Sequence, residues 1–210
     1  MATPRMEPTA KRVRGMLGGR YVVDSIRTML VWEKPNYPAY YFPEDDVAPE
    51  ARPLALARPP AEGLDGLVRF DWSVMDHWFE EDEEVIVHPR SPYTRVDILN
   101  SSRHVEVAIN GVTVADTTRP TLLFETGLRT RFYLPLTDIR MELLVPSERT
   151  TQCPYKGTAN YWSVAIDGET FPDIVWTYRS PLPESQKIAG LAAFYNERVD
   201  LTVDGVIQER

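Results

Sequence analysis

The chain is poor in cysteine, poor in histidine, and has no long apolar run. Cys153 is the single cysteine among 210 residues, which excludes an intramolecular disulfide and any multi-cysteine zinc site. A reduced, cytoplasmic setting is expected. The three histidines, His77, His88 and His104, show no metal-ligand spacing, and a metal site needs several convergent ligands. Neither a metal nor a cofactor is expected. No stretch approaches the ~18 apolar residues that a membrane span requires. The basic, proline-containing residues 1–14 have no apolar segment behind them, so they do not read as a secretory signal. Positive charge is also short: 23 Lys and Arg face 31 Asp and Glu, a formal net charge of −8. That argues against nucleic acid as a partner, because phosphate contacts need a basic face. No glycine-rich phosphate loop occurs either.

What the chain does have is a pattern that occurs twice. Gly19-Arg20-Tyr21-Val22-Val23-Asp24-Ser25-Ile26-Arg27 aligns with Gly111-Val112-Thr113-Val114-Ala115-Asp116-Thr117-Thr118-Arg119. The same offset of 92 continues without a gap through Leu30/Leu122, Glu33/Glu125, Tyr41/Tyr133, Pro43/Pro135 and Asp46/Asp138. Further matches join Trp72-Ser73-Val74 to Trp162-Ser163-Val164, Arg90-Ser91-Pro92 to Arg179-Ser180-Pro181, and Arg95-Val96-Asp97 to Arg198-Val199-Asp200. Internal similarity of this kind predicts two tandem copies of one small domain. The expected division is a disordered lead-in over 1–12, a diverged first β repeat over 13–98, and a second β repeat over 99–210. The two repeats are expected to pack against each other within the chain.

Local patterning predicts a mainly β fold built from two antiparallel units with proline-rich connections. Val105, Val107 and Ile109 alternate up to Asn110-Gly111, and Val112 and Val114 follow; this is a strong hairpin signal. Gly18-Gly19 holds the same place in the first copy. Strands are read at 28–32, 121–125 and 131–134, the last stopped by Pro135, with further alternation over 138–145. A second hairpin spans 161–166 and 174–178, turning at Asp167-Gly168; its expected counterpart is 70–75 with 85–88. The acidic run 80–84 reads as a solvated loop. Residues 187–194 alone have helical character, so one short helix is expected near the C-terminus.

The copies differ most at Thr151-Gln152-Cys153-Pro154-Tyr155-Lys156-Gly157-Thr158-Ala159, where the first copy has a proline-rich loop. A turn at Pro154 would bring the Lys156 ammonium towards the Cys153 sulfur, and a nearby cation favours the thiolate. The alternative is a structural cysteine with Lys156 in solvent. Glu125, Asp138, Arg119 and Tyr133 also occur in the first copy, as Glu33, Asp46, Arg27 and Tyr41, which suits a structural role as well as a chemical one. Trp176 and Tyr178 share one strand face, and with Trp162 they are candidate walls of a ligand pocket; core packing is the other reading. His88 reads as a structural histidine.

These motifs together resemble a known family. They are Val114-Ala115-Asp116-Thr117-Thr118-Arg119, Leu123-Phe124-Glu125-Thr126-Gly127-Leu128, Tyr133 with Asp138, Cys153-Pro154-Tyr155-Lys156-Gly157, Tyr161-Trp162-Ser163-Val164, Ala189-Gly190-Leu191-Ala192-Ala193-Phe194 and Arg198-Val199-Asp200. The set is similar to the bacterial and fungal domain of unknown function 427, sometimes labelled nucleotidyltransferase-like. The resemblance is strong over about 101–206 and looser over 13–98, which lacks the Cys-Pro-Tyr-Lys-Gly loop. It implies a small β fold similar to the Mss4-like or β-tent folds. Relatives of that architecture hold zinc through paired cysteines, which this chain does not have, and some bind ligands in an aromatic cage.

Three functions follow as expectations. One is a small-molecule enzyme: Cys153 as nucleophile or acid/base, Lys156 orienting an anionic group, Arg119 pairing a carboxylate or phosphate, and Glu125 or Tyr133 moving protons. Another is a binding module without turnover, an aromatic-walled pocket with Lys156 and Arg119 at its mouth and Arg119, Asp138, Trp162, Trp176 and Tyr178 as its ligand-binding residues. The last is a structural or interaction platform. A small anionic molecule is the expected partner in the first two. Nucleotidyl transfer is the weakest form of the enzyme reading, since it wants carboxylates grouped around Mg²⁺ and a phosphate cradle.

Overall fold

A computed structural model describes residues 4–56 and 63–210. The chain divides into two units, Met1–Pro92 and Tyr93–Arg210.

The first unit has eight described strands: β1 (Arg5–Pro8), β2 (Val13–Leu17), β3 (Arg20–Ser25), β4 (Met29–Trp32), β5 (Ala39–Pro43), β6 (Leu67–Arg69), β7 (His77–Glu80) and β8 (Glu83–Val85). They form two antiparallel sheets, in the orders β1-β4-β5-β6 and β3-β2-β7-β8. The two-residue turn between β2 and β3 needs positive φ at both positions. Gly18 and Gly19 provide it, at 59° and 74°. The core collects Val13, Val23, Tyr40, Phe42, Val47 and Trp78. A smaller cluster of Val31, Tyr41 and Leu64 occupies the other face of the β4-β5 ribbon.

The second unit holds β9 (Val96–Asn100), β10 (Val105–Ile109), β11 (Val112–Thr117), β12 (Thr121–Glu125), β13 (Arg131–Pro135), β14 (Leu144–Cys153), β15 (Gly157–Ile166), β16 (Glu169–Tyr178), β17 (Leu191–Phe194), β18 (Asp200–Val203) and β19 (Val206–Ile207). One sheet runs β11-β10-β18-β19. The other has seven strands in the order β14-β15-β16-β17-β13-β12-β9. Asn110 and Gly111 make the β10–β11 turn with φ of 49° and 77°. The central strands of the seven-stranded sheet, β13, β16 and β17, are buried on both faces. One face contributes Leu134, Val164, Val175 and Ala192 to a core shared with Val105 and Val203. The other gathers Tyr133, Tyr161, Trp176, Tyr178 and Ile188.

Strand pairing follows the same offset as the sequence. Val13 opposes Ser25 and Val105 opposes Thr117; in both hairpins a bulge interrupts the register, after Gly15 in one and after Val107 in the other. Met29 opposes Tyr41 and Thr121 opposes Tyr133. Pro8 faces Met29 as Asn100 faces Thr121.

The structure departs from the sequence reading in five places. Residues 1–3 of the lead-in lie outside the described residues, but Arg5–Pro8 is a paired strand rather than disordered chain. Its counterpart by pairing is in β9, so 93–98 belongs to the second unit, not to the first. Trp72–Val74 is a 3-10 turn whereas Trp162–Val164 lies inside a long strand. The seven-stranded sheet therefore gains β14, β15 and β16 without a match among the described strands of the first unit, and 70–75 with 85–88 is not a hairpin. The alternation over 138–145 is mostly two 3-10 turns, Leu136–Asp138 and Met141–Leu143. Finally, the helix expected over 187–194 is a 3-10 segment, Pro183–Ile188, followed by β17. The small residues Ala192 and Ala193 fit a fully buried strand between β13 and β16.

Candidate functional site

The Cys-Pro-Tyr-Lys-Gly motif is the turn that joins β14 to β15. Pro154 takes the second position of a four-residue turn, which its fixed φ favours, and the Lys156 amide donates to the Cys153 carbonyl at 3.3 Å. Gly157 leaves the turn with φ 96° and has Ser180 and Leu182 backbone atoms 3.5 Å from where a Cβ would stand. The Leu182 amide donates to the Lys156 carbonyl at 3.1 Å. These contacts hold the turn down at both ends, and residue Lys156 is only 9% exposed.

Register places the remaining groups on one face. Tyr161 opposes Trp176, Trp176 opposes Ala193, and Ala193 opposes Tyr133, so these side chains form a row across β15, β16, β17 and β13. Tyr178 follows Trp176 by two residues and opposes Ala159, which opposes Thr151. Lys156 donates to Glu125 on β12. In the sheet order β12 stands four steps from β15; a flat sheet would separate them by roughly 19 Å. The sheet therefore curls, bringing the turn over the concave face.

The pair is enclosed: the Lys156 and Glu125 side chains are 11% and 10% exposed. Trp176 Nε1 donates to Tyr133 Oη at 3.1 Å. Burial pushes the Tyr133 and Tyr178 phenols well above the usual tyrosine range, and the neighbouring Cys153 and Glu125 add to the effect. Both phenols stay protonated, and Tyr133 accepts from the Trp176 indole. Thr151 and Tyr161 hydroxyls are 2.8 Å apart, and Tyr161 Oη lies 3.3 Å from that of Tyr195. Burial and the Tyr161 contact push Tyr195 up to about 12. Guanidinium groups cover ring faces at this end: Arg131 lies 5.6 Å from the Trp176 centroid and Arg149 lies 4.8 Å from that of Tyr161. The half-buried Cys153, last residue of β14, lies near enough to act electrostatically on Tyr133 and Tyr178.

The structure thus brings together Cys153, Lys156, Glu125, Tyr133, Trp176 and Tyr178. It does not bring in Trp162, which opposes Val175 and packs on the opposite face of the sheet. Arg119 and Asp138 hold one another instead, by two hydrogen bonds of 3.0 and 2.8 Å, with Thr117 donating to the same carboxylate. Those donors, Arg119 first, draw the Asp138 carboxyl far below its ordinary range. The sequence reading missed Thr151, Tyr161, Tyr195, Arg131 and Arg149. Period-2 alternation across the β15–β16 hairpin carried enough signal to find Tyr161; Tyr195, at the far side of β17, had none. The first unit keeps the acidic member of the pair: Glu33 accepts from Tyr41 and meets Arg69 at 3.1 Å. His88 belongs to the first unit, its Nδ1 2.8 Å from the Pro89 carbonyl. Among the described residues, no group of three or more His, Cys, Asp or Glu could hold a metal ion. No described helix is long and apolar enough to cross a membrane.

No curated protein matches the chain. A family model, NTP_transf_9, described as a domain of unknown function (DUF427), matches it in two parts, residues 5–55 and 97–205.

Proposed function

The chain belongs to the family of domain of unknown function 427, and we propose that its second unit is the working half, a small-molecule enzyme centred on Cys153 and Lys156. The observation that supports this reading is the enclosed Lys156–Glu125 pair. Taking two charges out of water costs several kcal/mol per ion, and an apolar pair of the same volume often serves stability as well or better. A charged pair kept beside a thiol and buried phenols is the arrangement of a group poised to handle charge. In this reading a small anionic molecule enters beside the half-buried Cys153. Its anionic group draws the Lys156 ammonium from Glu125. Cys153 gives its proton to Glu125 and adds as thiolate to an electrophilic carbon of that molecule; Glu125 returns the proton to the leaving group as its bond to that carbon breaks, and water then displaces the sulfur and restores the thiol. Tyr133 serves as a neutral hydrogen-bond partner rather than a base.

A binding module without turnover is the second reading. The arginine-covered rings of Trp176 and Tyr161 favour it, because stacked guanidinium groups are pre-set to meet an anion. In either case the expected setting is cytoplasmic, without nucleic acid. The β-tent likeness and the descent of both units from one doubled unit belong to the same proposal.

Cys153→Ala discriminates the readings. A metabolite extract is fractionated and screened by the thermal shift of the wild-type chain. The active fraction is then incubated with each protein and its constituents followed by mass spectrometry. The enzyme reading expects consumption by the wild type, none by Cys153→Ala, and an unchanged thermal shift. Turnover that survives in Cys153→Ala removes the thiol from the mechanism. A shift without turnover in either protein leaves the binding module.

A further inference from the structure

The first unit carries an open cleft of about 170 Å³. Two stacked ring pairs line it. Tyr37 lies on His88 with centroids 4.0 Å apart and planes at 15°, and Trp72 lies on Trp78 at 5.5 Å and 27°. The backbone that presents His88 is strained. The His88 amide donates to the Ile86 carbonyl at 2.9 Å, closing a three-residue turn around Val87 at φ 71°. A β-branched residue seldom occupies that region, and turns of this type are rare. Strain of this sort persists only where surrounding structure enforces it, and it clusters at ligand sites. Val87 itself lines the cleft.

The polar lining shows what charge the cleft accepts. Its two carboxylates already have donors. Glu33 accepts from the Tyr41 hydroxyl and forms an ion pair with Arg69 at 3.1 Å. Asp71 receives the Ser73 amide at 3.0 Å and hydroxyl at 2.6 Å. The Lys34 ammonium, also in the lining, makes no hydrogen bond or ion pair among the described residues. Lys34 is exposed and lends its charge to Asp71, but no protein group among the described residues accepts from its ammonium, so an anionic ligand would meet it beside the flat ring faces. The volume matches that of about six waters, the bulk of one substituted ring.

We propose that this cleft binds a single-ring aromatic or heteroaromatic carboxylate, its ring against the Tyr37–His88 and Trp72–Trp78 stacks and its carboxylate on Lys34. The site is distinct from the Cys153 cluster and stands whether or not that cluster is catalytic.

Benzoate titrated into the full chain tests it, followed by the indole N–H signals of the five tryptophans in heteronuclear NMR. Saturable shifts at Trp72 and Trp78, with Trp162 and Trp176 unmoved, are expected. Cyclohexanecarboxylate keeps the charge without the π face, and benzamide keeps the ring without the charge; each should bind about tenfold more weakly or worse. Lys34→Gln, an exposed substitution, should weaken benzoate about tenfold and leave benzamide unchanged. Tyr37→Leu should weaken both, with melting curves confirming that each variant is folded. Absent saturation, shifts centred on Trp162 or Trp176, equal binding of cyclohexanecarboxylate, or a Lys34→Gln variant that binds benzoate normally would each overturn the proposal.

Discussion

The two units solve the same local problems with different side chains. Each has a glutamate at the end of the strand that pairs with the tyrosine strand, Glu33 in one and Glu125 in the other, and each supplies a cation. In the first unit that cation is Arg69 on β6, inside the sheet, and the pair is about a quarter exposed, at 21% and 24%. In the second unit β17 takes the position next to β13 and carries Ala193 opposite Tyr133, where β6 sets Arg69 opposite Tyr41. The cation comes instead from Lys156, at the tip of a hairpin with no match among the described strands of the first unit. With the small Ala193 at that place in the strand, the Lys156–Glu125 pair is enclosed, its side chains 11% and 10% exposed. The first unit keeps an open cleft at the corresponding end of β4 and β5.

The largest expected effect tests that contrast directly. Lys156→Met strands the Glu125 carboxylate and should cost about 3–5 kcal/mol in urea unfolding of the full chain. Arg69→Met, with water able to reach Glu33, should cost about 1 kcal/mol. Equal losses would break the comparison. Next comes Tyr133→Phe, which leaves the Trp176 indole N–H without its acceptor in a buried place; about 1–3 kcal/mol is expected. Tyr41→Phe should cost less, because Glu33 keeps Arg69 and contact with solvent.

A third pair should behave alike. Arg27 and Ser25 hold Asp46 as Arg119 and Thr117 hold Asp138. Burial raises Asp46 somewhat, yet the Arg27 and Ser25 hydrogen bonds leave it lowered; Asp138 is lowered chiefly by Arg119. A carboxylate depressed on folding adds stability above about pH 4, and that stability is lost as pH falls through the folded value. Asp46→Asn and Asp138→Asn should therefore lower the melting temperature at neutral pH and converge on wild type in strong acid. A penalty in only one unit would show that the two brackets are not equivalent.

The smallest effect separates the units again. At matched positions Arg12 pairs Asp24 in the first unit and His104 pairs Asp116 in the second. The Asp116 hydrogen bond raises the His104 pKa. Its contribution is fully present below about pH 6.5 and is lost as pH rises through the folded value. His104→Arg should abolish a shallow loss of melting temperature between pH 6 and pH 9 that the Arg12 pair does not show. Direct titration of the imidazole by NMR checks the sign.

Much of this architecture was legible in the residues. The Asn110-Gly111 and Gly18-Gly19 turns, the alternation about them, and the offset of 92 fix hairpins and register through backbone conformations that only a few residue types tolerate. The Arg27–Asp46 and Arg119–Asp138 brackets lie within this offset, so both members could be named, though not their preference for each other over a ligand. The second half of the internal match misled, because Trp-Ser-Val is compatible with a 3-10 turn and with a strand, and nothing local chooses between them. Residues 187–194 misled likewise: alanine favours a helix by intrinsic propensity, yet Ala192 and Ala193 are small enough for a strand closed in on both faces.

The sequence by itself determined the β class and the turns at Gly18-Gly19, Asn110-Gly111 and Cys153-Pro154-Tyr155-Lys156-Gly157, because each depends on neighbours within a few residues. Only the tertiary structure decided that Lys156 meets Glu125, that Trp162 turns away from Trp176, and that the open cleft lies in the first unit. Those outcomes depend on sheet curl and strand order, which arise from packing between residues far apart in the chain.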